Sequence, residues 1–225
     1  MLIKLNNEQG RAVCGVLFDM DGVVIDTEKL YTRFWMEAAR ELGHPMTLEQ
    51  ALQMRSLGQG PSQEKLDSFF GPGVVDYTEL RSIRIQRMGA FIAVHGVEEK
   101  PGIRALLAHL KERGIPCAIT SSSALAVIRE RLGRLGILED FTALCSGKDV
   151  PNGKPAPDIY LAGAAAIGVA PENCLAIEDS PTGLEAAWRA GCMGVFVPDQ
   201  DQPDELTLSR CFAKADSLTD VMELL

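Results

Sequence analysis

Residues 16–18 (VLF) form a short apolar run that leads directly into Asp19-Met20-Asp21-Gly22. A second acidic pair, Glu178-Asp179, follows another apolar run, residues 174–177 (CLAI), and three serines, Ser121, Ser122 and Ser123, follow residues 115–120 (IPCAIT). Lys154 stands in the loop sequence NGKPAP, just ahead of a helical stretch. Brought together, Asp19, Asp21, Glu178 and Asp179 repel one another, and at least one would have its pKa raised. A hard divalent cation relieves that repulsion, and carboxylate oxygens are the ligands Mg²⁺ prefers, usually alongside water and a substrate phosphate. The hydroxyls of Ser121 and Ser122 and the ammonium of Lys154 are suited to phosphate oxygens, as are the amides at the start of the helix after the serines. The chemistry implied is phosphoryl transfer. One carboxylate attacks phosphorus to give an aspartyl-phosphate, and the other aspartate of the pair serves as general acid for the leaving oxygen and then as base for water.

These residues act together only if the fold gathers them. Short apolar runs at 12–18, 115–120, 141–145, 174–177 and 194–197 read as strands, with a further edge strand at 210–213. Helical patterns separate them at 101–113, where Pro101 stands near the first position, and at 123–135, 156–167, 182–190 and 218–225. Such alternation predicts an α/β fold: a Rossmann-like parallel sheet with helices on both faces. In open parallel sheets ligands bind beyond the carboxyl ends of the strands, which is where each candidate residue falls. Between the first and second strands, residues 27–94 read as almost wholly helical, divided at Gly43-His44-Pro45, residues 58–61 (GQGP) and residues 71–73 (GPG). The expected organisation is an α/β core of residues 12–26 and 96–225 with a helical cap domain of residues 27–95 inserted after the first strand.

Four segments carry a family resemblance. FDMDGVVIDTE resembles the DxDG first motif of the haloacid dehalogenase superfamily, and AITSSS resembles its second motif. GKPAPDIYL is similar to its lysine motif, and LAIEDSPTGLEAAWRAG to its acidic metal motif. They stand in the family's order at strand ends, and the resemblance spans residues 12–225, nearest to the β-phosphoglucomutase-like phosphatases with a helical cap. The resemblance implies Asp19 as nucleophile and metal ligand, and Asp21 as general acid/base whose backbone carbonyl also binds Mg²⁺. Ser121 is the implied phosphate-binding hydroxyl, with Thr120 as the competing choice, and Lys154 holds nucleophile and phosphate. Asp179 is the second metal carboxylate, and Glu178 is a ligand or the partner of one. Thr27 and Glu28 fall at the hinge into the cap, whose closure would exclude water and select substrate.

The expected activity is Mg²⁺-dependent hydrolysis of small phosphorylated metabolites, sugar phosphates among them. A hexose-phosphate mutase is the neighbouring alternative, but its pattern has a histidine in the first cap helix where this chain has Tyr31. A metal-free dehalogenase would lack an equivalent of Asp21. A non-enzymatic phospho-ligand binding or regulatory protein would normally have lost a catalytic carboxylate or the lysine. In the cap, Arg55 is a candidate substrate contact, with Lys65 a weaker one. Arg81, Arg84 and Arg87 have helical spacing and are expected on an exposed face, and His44, His95 and His109 are expected to be structural or surface residues.

Composition narrows the partners. A net charge of −9 lacks the basic face that general nucleic-acid binding needs. No apolar run approaches the ~20 residues of a membrane span, and residues 1–10 (MLIKLNNEQG) lack the apolar core of a signal peptide, so no membrane partner and a cytoplasmic location are expected. A monomer is compatible with the sequence, which does not fix the oligomeric state. The six cysteines form no CxxC pair and read as buried thiols. Residues 1–11 read as a tail, either flexible or at a strand edge.

Overall fold

The computed structural model describes residues 2–4, 12–54, 57, 59–199 and 202–225. The chain divides into two compact units, one of Met1–Asp26 with Glu98–Leu225 and one of Thr27–Val97.

The first unit is built on β1 (Leu2–Lys4), β2 (Gly15–Phe18), β3 (Cys117–Ser121), β4 (Ala143–Ser146), β5 (Cys174–Glu178), β6 (Met193–Phe196) and β7 (Ala213–Ala215). Their order across the sheet is β1-β7-β6-β5-β2-β3-β4, parallel throughout except for β1, which runs antiparallel against β7. This is the doubly wound α/β sheet expected from the alternation. Central strands buried on both sides should be continuously apolar, and every residue of β2 and β5 is indeed buried. Leu17, Ala118 and Ala176 share one face and pack with Tyr160, Ala164, Ala186 and Ala187. The intervening Val16, Phe18, Ile119 and Ile177 point the other way by strand alternation and are fully buried as well.

The second unit holds α1 (Glu28–Glu41), α2 (Leu48–Leu52), α3 (Gln59–Phe70) and α4 (Tyr77–His95). Its core gathers Trp35, Ala38, Ala39, Met54, Leu66 and Leu80. Local signals set the helix starts. Thr47 and Gln50 form a reciprocal capping box before α2, and Asp76 accepts from the Glu79 amide at 2.9 Å to open α4. The arginine stripe on α4 is not uniformly exposed. Arg84 is buried, its guanidinium 4.7 Å from the ring centroids of both Tyr31 and Trp35, whereas Arg81 and Arg87 face water. A repeat of three residues drifts around a helix of 3.6 residues per turn, and the aromatic faces of α1 receive the middle cation.

Back in the first unit, α5 (Ile103–Glu112), α6 (Leu125–Leu135), α7 (Asp158–Ala166), α8 (Pro181–Arg189), α9 (Glu205–Arg210) and α10 (Leu218–Val221) connect and cover the strands. Several bounds differ from expectation. Residues 12–14 precede the ladder, and Cys14 is exposed rather than buried. Pro101 and Gly102 form a turn ahead of α5 instead of its first residues. Of the segment expected as a last edge strand at 210–213, Arg210 ends α9 and only Ala213 lies in a strand, β7, which is interior because β1 pairs on its far side. Of the N-terminal tail, Leu2–Lys4 is a strand edge, and residues 1 and 5–11 lie outside the described residues.

Candidate functional site

The register of the parallel strands decides what meets at their carboxyl ends. Phe18 pairs with both Ile119 and Ile177, so Asp19 stands level with Thr120 and Glu178. Its amide still donates to the Ile177 carbonyl at 3.0 Å. Asp19 is therefore both the last residue held by the sheet and the first beyond it, fixed by backbone bonds on a rigid element.

Lys154, from the loop before α7, donates from Nζ to Asp19 Oδ1 at 2.5 Å and to Glu178 Oε1 at 2.6 Å. Its side chain is 10% exposed, and that of Glu178 is wholly buried. Tyr160, on the first turn of α7, donates its hydroxyl to the same Glu178 oxygen, while Lys154 Nζ lies 5.1 Å from the Tyr160 ring centroid. The other Glu178 oxygen accepts from Ser180 Oγ at 3.2 Å, and Ser180 Oγ in turn accepts from the Gly183 amide as the N-cap of α8. Helix α8 thus begins on the buried carboxylate. A Cβ at Gly183 would come within 3.0 Å of all three carboxyl atoms of Glu178, and one at Gly22, where φ is +87°, would come equally close to Asp179 Oδ2. Backbone without side chains lets the chain pass against both acids.

Burial pushes the Asp19 carboxyl up to about 7, with Lys154 pulling it down and Glu178 pushing it further up. Burial alone would lower Lys154, but the Asp19 and Glu178 carboxylates outweigh it and hold the amine well above its ordinary range. Lys154 is accordingly an ammonium. One oxygen each from Asp19, Glu178 and Asp179 lie within 4.8 Å of one another. Three carboxylates face one ammonium there, so the cluster keeps an excess of negative charge. An all-oxygen, electron-rich cluster of this size fits a hard divalent cation.

The hydroxyls after β3 differ in what they do. Thr120 is fully buried and donates to the Phe18 carbonyl at 3.1 Å, so its hydroxyl is used in the sheet. Ser121 Oγ accepts from the Ser123 amide at 3.1 Å, and Ser122 is exposed. Asp21 pairs through Oδ1 with Arg131 of α6 at 2.8 Å, and Ser123 Oγ approaches its Oδ2 at 3.4 Å. Arg55 lies outside the described residues. Lys65 donates to Gln53 Oε1 at 3.1 Å within the second unit.

Asp19, Glu178, Asp179 and Lys154 thus meet in space, with Ser121 at the end of the neighbouring β3 and Asp21 two residues beyond Asp19 in the turn after β2. Sequence reasoning missed Tyr160 and Arg131. Tyr160 follows Lys154 by six positions on a helix whose apolar face hides it, and nothing local to Arg131 marks it apart from its neighbours Arg129 and Arg134.

A doubly wound sheet with an aspartate, a buried lysine and a carboxylate cluster at its carboxyl edge points to a hydrolase of the phosphotransferase type. Comparison agrees: a haloacid dehalogenase-like hydrolase profile matches residues 15–191, and the chain belongs to that family. It is 35% identical over 212 residues to the probable pseudouridine-5'-phosphatase of Drosophila melanogaster, covering 89% of this chain and 88% of that protein. It is 34% identical over 194 residues to the β-phosphoglucomutase of Bacillus subtilis, covering 84% of each. Among solved structures, a haloacid dehalogenase family hydrolase of Deinococcus radiodurans R1 with bound phosphate and sodium superposes with a TM-score of 0.77 at 28% identity, covering 94% of both chains.

Proposed function

We propose that the protein hydrolyses small phosphate monoesters, sugar phosphates among them, in a Mg²⁺-dependent reaction. The observation that carries this reading is Asp19, fixed at the end of β2, in contact with Lys154 and within ligand reach of Glu178 and Asp179. Asp19 and Asp179 would hold the cation with the Asp21 carbonyl. Glu178 has both oxygens engaged by Lys154, Tyr160 and Ser180, which fits a partner that orients the lysine as well as a ligand. When bound, Mg²⁺ supplies a Lewis acid and a counter-charge for the phosphoryl oxygens.

Asp19 attacks phosphorus, the ester oxygen departs with a proton from Asp21, and Asp21 then takes a proton from the water that cleaves the aspartyl-phosphate. Lys154 neutralises the nucleophile and the phosphoryl oxygens together, and Ser121 and Ser122 supply hydroxyl donors on the rim. Thr120 is not assigned this part because its hydroxyl is committed to Phe18. The Thr27–Val97 unit, inserted after the first core strand, is assigned the choice of substrate. Tyr31, standing where the mutase pattern has histidine, favours hydrolysis over isomerisation, although a relative of the same similarity is a named mutase.

The test is free phosphate release from a panel of phosphorylated metabolites, with Mg²⁺ and with a chelator, in wild type and Asp19→Asn. Release by wild type with Mg²⁺ alone is expected. Isomerised sugar phosphate formed without net phosphate release would replace this reading with the mutase, and turnover in the chelator would remove the metal from it.

A further inference from the structure

The other arginines of α6 behave as surface residues: Arg129 is exposed, and Arg134 pairs with Glu130 at 3.3 Å with side chains 39% and 50% exposed. Arg131 differs. It lies on the flank of the face that buries Ile128 and Leu132, its side chain is only 11% exposed, and it reaches Asp21 Oδ1 at 2.8 Å across 110 positions of sequence. Burying a guanidinium and a carboxylate costs desolvation that their attraction roughly offsets, so such a pair is weak evidence of a stabilising device. What the pair does supply is orientation.

The second Asp21 oxygen faces Ser123 Oγ at 3.4 Å. Ser123 is itself held, its amide donating to Ser121 Oγ at 3.1 Å and its carbonyl accepting from Ser146 Oγ at 2.9 Å. The carboxylate at the turn after β2 is thereby gripped at both oxygens by groups that follow β3, on the side of the phosphate-binding hydroxyls. Gly22, with φ +87°, begins the turn, so the Asp21 side chain stands at the start of a bend, where these contacts bear on its orientation.

We propose that Arg131 is a positioning residue for Asp21, setting the orientation from which its carboxyl serves the ester oxygen of the substrate. The inference rests on the phosphatase reading above. In the step concerned, an Asp19 Oδ–P bond forms, the P–O(ester) bond breaks, and the proton of the Asp21 carboxyl passes to the departing oxygen. A displaced carboxyl slows departure of an alcohol, which needs that proton, far more than departure of a nitrophenolate, which leaves as the anion.

The experiment compares kcat/KM, which reports this first step, for an alkyl ester (glycerol phosphate, or whichever sugar phosphate the wild type hydrolyses) and for p-nitrophenyl phosphate. Wild type, Arg131→Met, Arg131→Ala and Arg131→Lys are measured, with a thermal melt of each. For the neutral variants we expect alkyl-ester kcat/KM to fall by roughly 10- to 100-fold, within the range of general-acid contributions, with the aryl ester changing by less than about 3-fold. The lysine variant should recover part of the alkyl-ester loss. An equal fall on both esters would assign Arg131 to packing alone, and no change or a gain on the alkyl ester would show the ion pair to be idle or restraining; each overturns the proposal. If wild type hydrolyses neither ester, the phosphatase reading itself fails, a result separate from a flat response in the variants. Should both neutral variants fail to fold, the lysine variant's ratio of alkyl to aryl turnover decides, because a ratio equal to that of wild type despite a lowered melt would be a packing effect.

Discussion

Replacing Gly183 with alanine sets two effects of opposite sign against each other. Gly183 is the third residue of α8, and its φ is outside the left-handed region. Alanine in a helix is worth about 1 kcal/mol over glycine, so the local expectation is a more stable protein. The new Cβ, however, would lie within 3.0 Å of Oε1, Cδ and Oε2 of Glu178. That carboxylate is fully buried and accepts from Lys154, Tyr160 and Ser180, so it is not the loose end of a flexible chain. Either it moves and strains hydrogen bonds to a charged group, each worth roughly 1.5–3 kcal/mol, or α8 shifts and loses its Ser180 cap, worth ~1 kcal/mol. Allowing for partial recovery of these contacts, the net effect is a destabilisation of about 2–4 kcal/mol, in the range of core-network mutations. At the ~2–4 °C per kcal/mol of a chain this size, the melting temperature should fall by roughly 5–15 °C. Mg²⁺ affinity by calorimetry and phosphate release should fall with it, since the same carboxylate fixes Lys154. Gly133→Ala is the internal control: that glycine is in α6, and a Cβ there meets nothing within 4 Å among the described residues, so the variant should gain up to about 1 kcal/mol. A Gly183→Ala protein that melts at or above wild type with unchanged turnover would refute the idea that α8 is built against the Glu178 carboxylate.

Two further substitutions test the same network. Tyr160→Phe removes the hydroxyl donor to Glu178 but keeps the ring on Lys154; a loss of about 1–2 kcal/mol in urea denaturation is expected, together with a lowered kcat. An unchanged midpoint and kcat would show that Tyr160 does no more than fill space. Lys154→Met leaves Asp19 and Glu178 buried together without their cation, a loss of roughly 3–5 kcal/mol near neutral pH. The pH dependence has a definite sign: Asp19 already stands at about 7 against an ordinary 3.8, and Lys154 lowers it, so its removal raises it further. A folded-state pKa above the unfolded one makes the native state bind more protons, and stability then falls as pH rises from about 4 through 7. Wild type and variant share that decline up to about pH 7, where the wild-type carboxyl ionises and its stability levels off while the variant's goes on falling. The gap should therefore stay level below about pH 7 and widen above it in denaturation without Mg²⁺, and a gap that is constant or narrows there would contradict the uncompensated carboxylates.

The parallel core was legible because buried strands advertise themselves: VLF, AIT and CLAI are apolar runs ended by acids or hydroxyls, and that ending is also where a doubly wound sheet puts its ligand site. The ends of the elements were less legible. Residues 12–14 share the apolar character of β2 but precede its first pairing partner, and α9 offers only Leu206 and Leu208 as a helical signal over six residues. The second unit's site potential was least legible, because Arg55 carries no local pattern.

Arginine shows why the remainder was hidden. Arg84 and Arg131 both sit in helices among other arginines; by its spacing Arg84 is expected on an exposed face, and nothing in the sequence singles out Arg131. One is buried against Tyr31 and Trp35, the other turned to Asp21. Which of several similarly spaced cations turns inward depends on the face the helix presents to its neighbour, and that is set by packing of Ile128 and Leu132 in α6 and of Leu80 and Met88 in α4. The partner lies 110 residues from Arg131, and no period of 2 or 3.6 residues reports a distance of that kind. Acids at strand ends are positioned by the strand that carries them, and so can be read in one dimension. The cations that orient them come from elements folded in later, and only the assembled sheet shows which ones they are.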